Sequence, residues 1–413
     1  MYVSRPCLSS VSWRENWLVL SGDRQPPGNK KADSNMHVAD KLDVLTAGAR
    51  YDLACACGME GHRVRGPLGR WIYPSTLPNG QSIRMLKVLL SNSCTRGCAY
   101  CPQRHGRNFT RQSFRPEELA APFMEMQRRG YVTGLFLSSA IDSSVKTSMD
   151  KLLRTIEILR FRYGYRGWVH LKVLPGADRE QVERAAVLAN RLSVNLEAPT
   201  PERLRMISPQ KNFESDLFTR IEWIQNLIDN HAGRCKGQTT QFVVGAGEET
   251  DAEFVRLAGE LYRKLGLSRI YYSAFQPVPE TPLSGQPPSS FVREHRLYQT
   301  DFLLRKYGFK ADEIVLNEAG NLPLDTDPKR AWAEENPGFF PVEINEAARD
   351  RLLRVPGLGP VAAARILKAR KAGKLRSLDD LRATGAITGR AGPFILLNGR
   401  RPSEWRGAQL SLL

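Results

Sequence analysis

Six short apolar runs punctuate the chain between residues 85 and 277: "MLKVLLS" (85–91), "GLFLSSA" (134–140), "WVHLKVLPG" (168–176), "RLSVNLEAP" (191–199), "TTQFVVGAG" (239–247) and "RIYYSAFQP" (269–277). Between them lie stretches whose apolar residues recur at helical spacing: 116–130, 148–164, 178–190, 216–230 and 251–266. Near-continuous apolar runs alternating with helices of this length predict βα units around a parallel sheet. Six strands predict a partial (β/α)6 barrel, an α/β fold whose chemistry sits at the carboxyl ends of the strands.

Outside this core the pattern changes. Residues 1–35 are irregular, and "SGDRQPPGNKKADSN" (21–35) has the composition of a disordered linker, so they are expected to be an optional extension. A first helical period begins near Met36, giving an N-terminal helix-and-loop segment over 36–83, and the barrel is expected over 84–285. Residues 286–341 read as a barrel-closing helix followed by a Pro-punctuated connector, and 342–413 as a separate all-α domain. The longest apolar runs, "WLVL" (17–20) and "FILL" (394–397), fall far short of the roughly 18 residues a membrane span needs, and no signal-peptide core appears. A cytoplasmic protein without membrane contact is therefore expected.

Charge sharpens this division. The chain carries +17 overall, and residues 345–413 hold 14 Lys plus Arg against 5 Asp plus Glu, a net of +9. That concentration is a polyanion-binding footprint; a solvated basic tail is the plainer alternative. Within it, "LLRVPGLGPVAAARILKARKAG" (352–373) is a short helical turn, a tight "PGLGP" hairpin and a second helix, and it resembles a helix-hairpin-helix. In that module Gly357 and Gly359 are expected to leave backbone N–H groups open to a phosphate, with Arg365, Lys368, Arg370 and Lys371 adding positive charge. A hairpin used only for protein contacts is the other reading.

The remaining chemistry is in "SNSCTRGCAYCPQR" (91–104), where Cys94, Cys98 and Cys101 follow the first strand at spacing C-x3-C-x2-C. Three thiolates at the mouth of a barrel leave one iron of a [4Fe-4S] cluster open, while zinc would take His105 as a fourth ligand. With Tyr100 before the last cysteine, the stretch strongly resembles the radical SAM superfamily. The resemblance implies a [4Fe-4S] cluster on Cys94, Cys98 and Cys101, with S-adenosylmethionine on the open iron and cleaved to a 5′-deoxyadenosyl radical. It further implies Tyr100 near the adenine, and Ser138 and Ser139 where the family often has a Gly-Gly-Glu-like turn. Asn195 and Glu197 of "NLE" are implied to reach cofactor or substrate hydroxyls, and Gly245 to let the adenine approach the backbone. Ser138, Asn195 and Glu197 could equally be strand-end caps. Cys55 and Cys57, with His62, are too few to mark a second cluster; the two cysteines read as buried or incidental thiols, and Cys235 as incidental too.

From about Met36 to Pro402, the order of "KLDVLTAGARYDL", "LFLSSAI", "HLKVLPGA", "RLSVNLEAPT", "DPKRAWAE" and "LLRVPGLGP" resembles the DNA modification or repair radical SAM proteins linked to uracil-DNA glycosylase. This implies a nucleic-acid substrate, DNA foremost, a one-electron donor such as flavodoxin or ferredoxin, and a uracil-DNA glycosylase-like partner. A radical SAM enzyme modifying tRNA and a non-enzymatic Fe-S DNA-binding protein are the alternatives.

Overall fold

The computed structural model describes residues 37–49, 72–76 and 80–402. The expected extension over 1–35 and the thiols of Cys55 and Cys57, with His62, lie outside the described residues.

One seven-stranded sheet runs in sequence order: β1 (Ile72–Thr76), β2 (Ser82–Leu89), β3 (Gly134–Ser138), β4 (Trp168–Lys172), β5 (Arg191–Ser193), β6 (Gln238–Val244) and β7 (Arg269–Ala274). From β2 to β7 every neighbouring pair is parallel, and β1 pairs antiparallel with β2. The sheet curls into a half-barrel whose first and last strands are not neighbours. Residues predicted as six strands form β2 to β7, each ending two to six residues early. The antiparallel β1, with Pro74 inside it, was not predicted; its proline fits an edge strand.

Helices fill the crossovers: α1 (Val38–Gly48) precedes the sheet, and α2 (Pro116–Arg128), α3 (Val145–Glu157), α4 (Arg179–Leu188), α5 (Pro201–Ile207), α6 (Thr219–Asp229) and α7 (Asp251–Leu265) link successive strands. Their starts are written locally. Ser144, Asp178, Thr200 and Thr250 each accept a hydrogen bond from a first-turn N–H, and Gly266 ends α7 in the left-handed conformation. The apolar stripes of these helices meet the strands in one core, with Phe123, Phe242, Phe254 and Tyr272 fully buried.

The open edge at β7 is sealed by side chains. The N–H groups of Ile270, Tyr272 and Ala274 donate to Tyr262, Tyr298 and Glu294 at 2.9, 3.0 and 2.7 Å. Tyr298 and Glu294 belong to α8 (Phe291–Lys306), the helix expected to close the barrel. It covers a strand edge that would otherwise be free to pair with another chain.

A second core holds α10 (Arg349–Arg354), α11 (Pro360–Ala372), α12 (Leu378–Ala383) and α13 (Thr388–Ala391). It is mainly helical, and a short parallel pair, β8 (Val342–Glu343) with β9 (Ile395–Leu396), ties its two ends together. The connector ahead of it is packed rather than loose: in α9 (Pro328–Glu335), Trp332 sits edge-on to Phe309, Phe339 and Phe340 at 5.5, 5.3 and 6.1 Å between ring centres.

Candidate cluster site and candidate nucleic-acid interface

The loop after β2 carries the three cysteines and is held from several sides. Asn92 and Gln112 join its two ends, with Gln112 N–H donating to Asn92 Oδ1 at 2.7 Å. Arg111 spans the middle, donating to the carbonyls of Asn92, Gln103 and Arg104 at 3.2, 3.2 and 2.7 Å. The segment after α5 clasps the other side: Ala99 N–H donates to Ile207 O at 2.8 Å, Gly97 N–H to Gln210 Oε1 at 2.9 Å, and Ser208 Oγ lies 3.1 Å from Cys98 Sγ. Gln103 Nε2 reaches Gly48 O of α1 at 3.1 Å. A loop of this length holds one shape because its carbonyls accept from fixed donors.

Cys94, Cys98 and Cys101 all line one cavity of about 470 Å³ at the carboxyl ends of the strands, together with Tyr100, Ser138, Ser139, Asn195 and Glu197. The residues singled out in the sequence thus share one cavity, although the strand expected to carry the last two ends at Ser193. Glu197 instead lies beyond it, in an isolated parallel bridge to Phe242, with φ of +66°. Gly245 is not among the lining residues. Its N–H is bonded to the Glu249 carboxylate, and a side chain there would meet Ser289 at 2.7 Å, so its glycine is required by local packing. Ser139 Oγ bonds its neighbour's carbonyl, Ala140 O, at 2.7 Å.

Lys211 was missed. It reaches from the clasping segment into the cavity and pairs with Glu197 at 3.3 Å, both side chains about nine-tenths buried. Burial works against its charge, but the neighbouring Cys98, Glu197 and Cys101 more than compensate and hold the ammonium protonated. Tyr100 also bonds Glu197, and burial, then that carboxylate, push its phenol up. No local pattern marks Lys211, since only folding brings it near Glu197. Burial, reinforced by Cys98, likewise raises the Cys101 thiol, so the thiolate form calls for a positive partner.

That donor set fits a cluster better than a single ion. Among the described residues no three His, Cys, Asp or Glu converge tightly enough to hold one metal, and His105 is exposed and off the cavity. Three thiols spread around one cavity suit a polynuclear group with an open corner. Cys235 is buried in the barrel core, consistent with an incidental thiol.

In the hairpin, Leu358 N–H donates to Val355 O at 3.1 Å and α11 begins at Pro360 with no side-chain cap. Gly357 has φ of +84°, its carbonyl accepts from Ile387 N–H at 3.0 Å, and a Cβ there would lie 2.5 Å from Ile387 O. It therefore packs the hairpin against the second turn, between α12 and α13. Gly359 caps α11 in the extended region. Arg365 and Lys368 are exposed on α11, Arg365 touching Thr384 O at 3.4 Å. Arg370 is committed inward, to Ile344 O and Ala347 O at 3.3 and 2.7 Å. Lys329 of α9, buried, donates to Leu358 O at 2.5 Å and fixes the hairpin from behind.

Residues 88–261 match the Radical SAM superfamily, and residues 340–389 match the helix-hairpin-helix motif. No curated protein matches the chain. Among solved structures it is similar to the FeFe-hydrogenase maturase HydG from Carboxydothermus hydrogenoformans, at 17% identity and a TM-score of 0.42 over 52% of this chain and 50% of that one. Methylornithine synthase (PylB) gives 16% and 0.43 over 52% and 60%. The radical S-adenosylmethionine methyltransferase TsrM from Kitasatospora setae gives 14% and 0.38 over 79% and 55%. The chain spans about half the length of these structures. It thus carries a radical SAM domain, of a family of enzymes that use a [4Fe-4S] cluster to cleave S-adenosylmethionine reductively, followed by a helix-hairpin-helix motif.

Proposed function

We propose that this chain is a radical SAM enzyme that modifies or repairs DNA. The observation that carries the choice of substrate is the hairpin: an uncapped start of α11 beside the exposed cations Arg365 and Lys368, within residues 345–413, whose net charge is +9. Free first-turn N–H groups and nearby positive charge suit a phosphate oxygen and read no base, so the hairpin would anchor the duplex and leave selection to the barrel.

In the barrel, Cys94, Cys98 and Cys101 would hold the cluster, with Arg111 and the 207–211 segment fixing the loop that presents them. When bound, the cluster and S-adenosylmethionine supply a 5′-deoxyadenosyl radical that takes a hydrogen atom from the substrate. Among the described residues, Glu197 is the one carboxylate that lines the cavity, and Lys211 and Tyr100 orient it. We assign Asn195 and Glu197 to the cofactor's polar groups, and Ser138 and Ser139 to the methionine end. Val243, Leu174 and Phe275 wall the same cavity with apolar surface that excludes water from a reactive intermediate. The reading includes a one-electron donor such as flavodoxin or ferredoxin, and a uracil-DNA glycosylase-like protein acting on the same DNA.

The deciding experiment incubates the anaerobically reconstituted protein with reductant, S-adenosylmethionine and either duplex DNA or tRNA, then weighs the nucleosides after digestion. A new mass in the DNA digest is expected. A new mass in tRNA alone would move the substrate to RNA, and 5′-deoxyadenosine without change in either polymer would remove nucleic acid from the reading.

A further inference from the structure

A second cavity, of about 140 Å³, lies inside the half-barrel on the amino-end side of the thiol cavity, and the two share Lys172, Asn195 and Gln241 as a common wall. Strand register explains what it contains. Lys87 of β2 is opposite Phe136 of β3, Phe136 is opposite His170 of β4, and His170 is opposite Arg191 of β5, so the four form one transverse row. Because side chains alternate along a strand, this row and Lys172, two residues on from His170, face the interior together.

The row is tightly built. Lys87 Nζ stands 4.8 Å over the Phe136 ring, Phe136 meets His170 edge-on at 4.5 Å, and Arg191 lies over Trp168 at 5.4 Å. Lys87 and His170 are more than nine-tenths buried. Burial, then the positive charges of Arg191, Lys87 and Lys172, hold the His170 imidazole well below its ordinary value. Three buried polar atoms in the lining have no hydrogen-bond partner: His170 Nε2, Arg191 Nε and the hydroxyl of Thr239, which is 1% exposed. No Asp or Glu is among the described residues that line this cavity.

Buried polar atoms left unpartnered, one of them on a guanidinium, cost free energy unless an anion satisfies them. We propose that this floor binds a phosphate group of the nucleotide substrate, through Lys87, Arg191, His170 and Thr239, below the cavity where hydrogen is abstracted. The proposal rests on the nucleic-acid reading and assigns it a substrate contact inside the barrel, distinct from the hairpin. The phosphate could be the end of a mononucleotide or a phosphodiester of a strand, which share the same oxyanion chemistry.

The test uses the full-length, reconstituted protein and measures binding of 2′-deoxyadenosine 5′-monophosphate, deoxyadenosine, and a short single strand without a terminal phosphate. With the cofactor site saturated by S-adenosylmethionine, the monophosphate should bind and deoxyadenosine should not. Lys87→Met and Arg191→Gln should each weaken the monophosphate about tenfold, as expected for loss of a charge-assisted hydrogen bond. Thr239→Val, which removes an unsatisfied hydroxyl and is expected to fold, should weaken it about fivefold. S-adenosylmethionine affinity should not move, since none of these residues lines the thiol cavity. A strand that binds with the same sensitivity to the variants assigns the floor to a phosphodiester; a strand indifferent to them assigns it to a terminal phosphate. Equal binding of monophosphate and deoxyadenosine, or a Thr239→Val protein that binds the monophosphate unchanged, overturns the proposal. If DNA is modified but the floor variants are silent, the floor alone fails. If the monophosphate binds through the floor but no polymer is modified, the nucleic-acid reading fails and the floor remains a phosphate site.

Discussion

The thiol cavity and the hairpin arrange their charged groups in opposite ways. In the cavity Lys211 and Glu197 are buried against one another, Tyr100 bonds the same carboxylate, and Ser208 touches Cys98, so each group is held by another functional group. On α11, Arg365 and Lys368 point to solvent from a helix whose inner face, Ala362, Ala363 and Ile366, does the packing. A site that must shield a radical has to be dry and rigid, whereas a site that meets a flexible polyanion gains from exposed, long-reaching cations. Substitutions in the first should act steeply, and in the second by degrees.

The contrast can be broken most severely at the cysteines. Cys94→Ala, Cys98→Ala or Cys101→Ala should each reduce bound iron and the visible charge-transfer absorption to background, since a three-thiolate site has no spare ligand. Full iron retention in any one of them would refute the site.

Gly357→Val should come next. It forces a β-branched residue into φ of +84° and against Ile387 O, at a cost of about 2 kcal/mol or more, so the hairpin domain should unfold early in urea and duplex binding should fall with it. A variant that is fully stable yet binds no duplex would return Gly357 to a direct phosphate role.

Within the cavity, Glu197→Gln and Lys211→Met each strand one buried charge, which costs about 3 kcal/mol of stability. Each should weaken S-adenosylmethionine binding at least tenfold while iron is retained. The double variant should recover much of the stability and none of the affinity; recovery of both would make the pair purely structural.

On the exposed side, Arg365→Gln and Lys368→Gln should leave melting unchanged and shift only the salt dependence of duplex binding, by about 0.9 in slope for each phosphate that is no longer neutralised. An unaltered slope would mean that other cations meet the phosphates.

A pH-dependent effect is expected at Lys329, whose ammonium is depressed by burial to about 7. The unfolded chain then holds a proton that the native site releases, so stability should rise with pH from about 7 towards the ordinary lysine range. Lys329→Met should flatten that rise, which melting temperatures at a series of pH values would record.

Much of this was legible because it is local. Cys94, Cys98 and Cys101 are close in sequence, and parallel strands buried on both faces announce themselves as apolar runs. The run at 148–164 was likewise recognisable as helix, although it widens to a π-helix at Ile158–Arg162, where buried Arg160 collects the carbonyls of Tyr165, Gly167 and Leu188. Lys211 could not be found this way, because its partners are set by the closing of the barrel and not by spacing; Arg111 bonds carbonyls of its own loop, but only the folded loop shows which ones. The positive φ of Glu197 was equally hidden: the stretch "RLSVNLEAP" alternates like a strand, and only pairing with β6, through Phe242, bends it. Gly357 and Gly359 were correctly singled out as hairpin glycines, but the constraint on Gly357 comes from a turn 30 residues later.

Lys329 also bears on how portable the C-terminal domain is. Its bond to Leu358 O, the ion pair between Asp327 and Arg390, and the edge-on contact of Phe340 with Phe394 at 5.0 Å all cross from the connector into the C-terminal domain. Cutting the chain at 342, where the second core begins, would remove the donor behind the turn and bare one side of an aromatic cluster. A graft of the hairpin onto another protein should therefore start no later than Asp327. By the same logic, recombination that exchanged the domain at its apparent border would carry over the hairpin without the wedge that keeps its turn in shape.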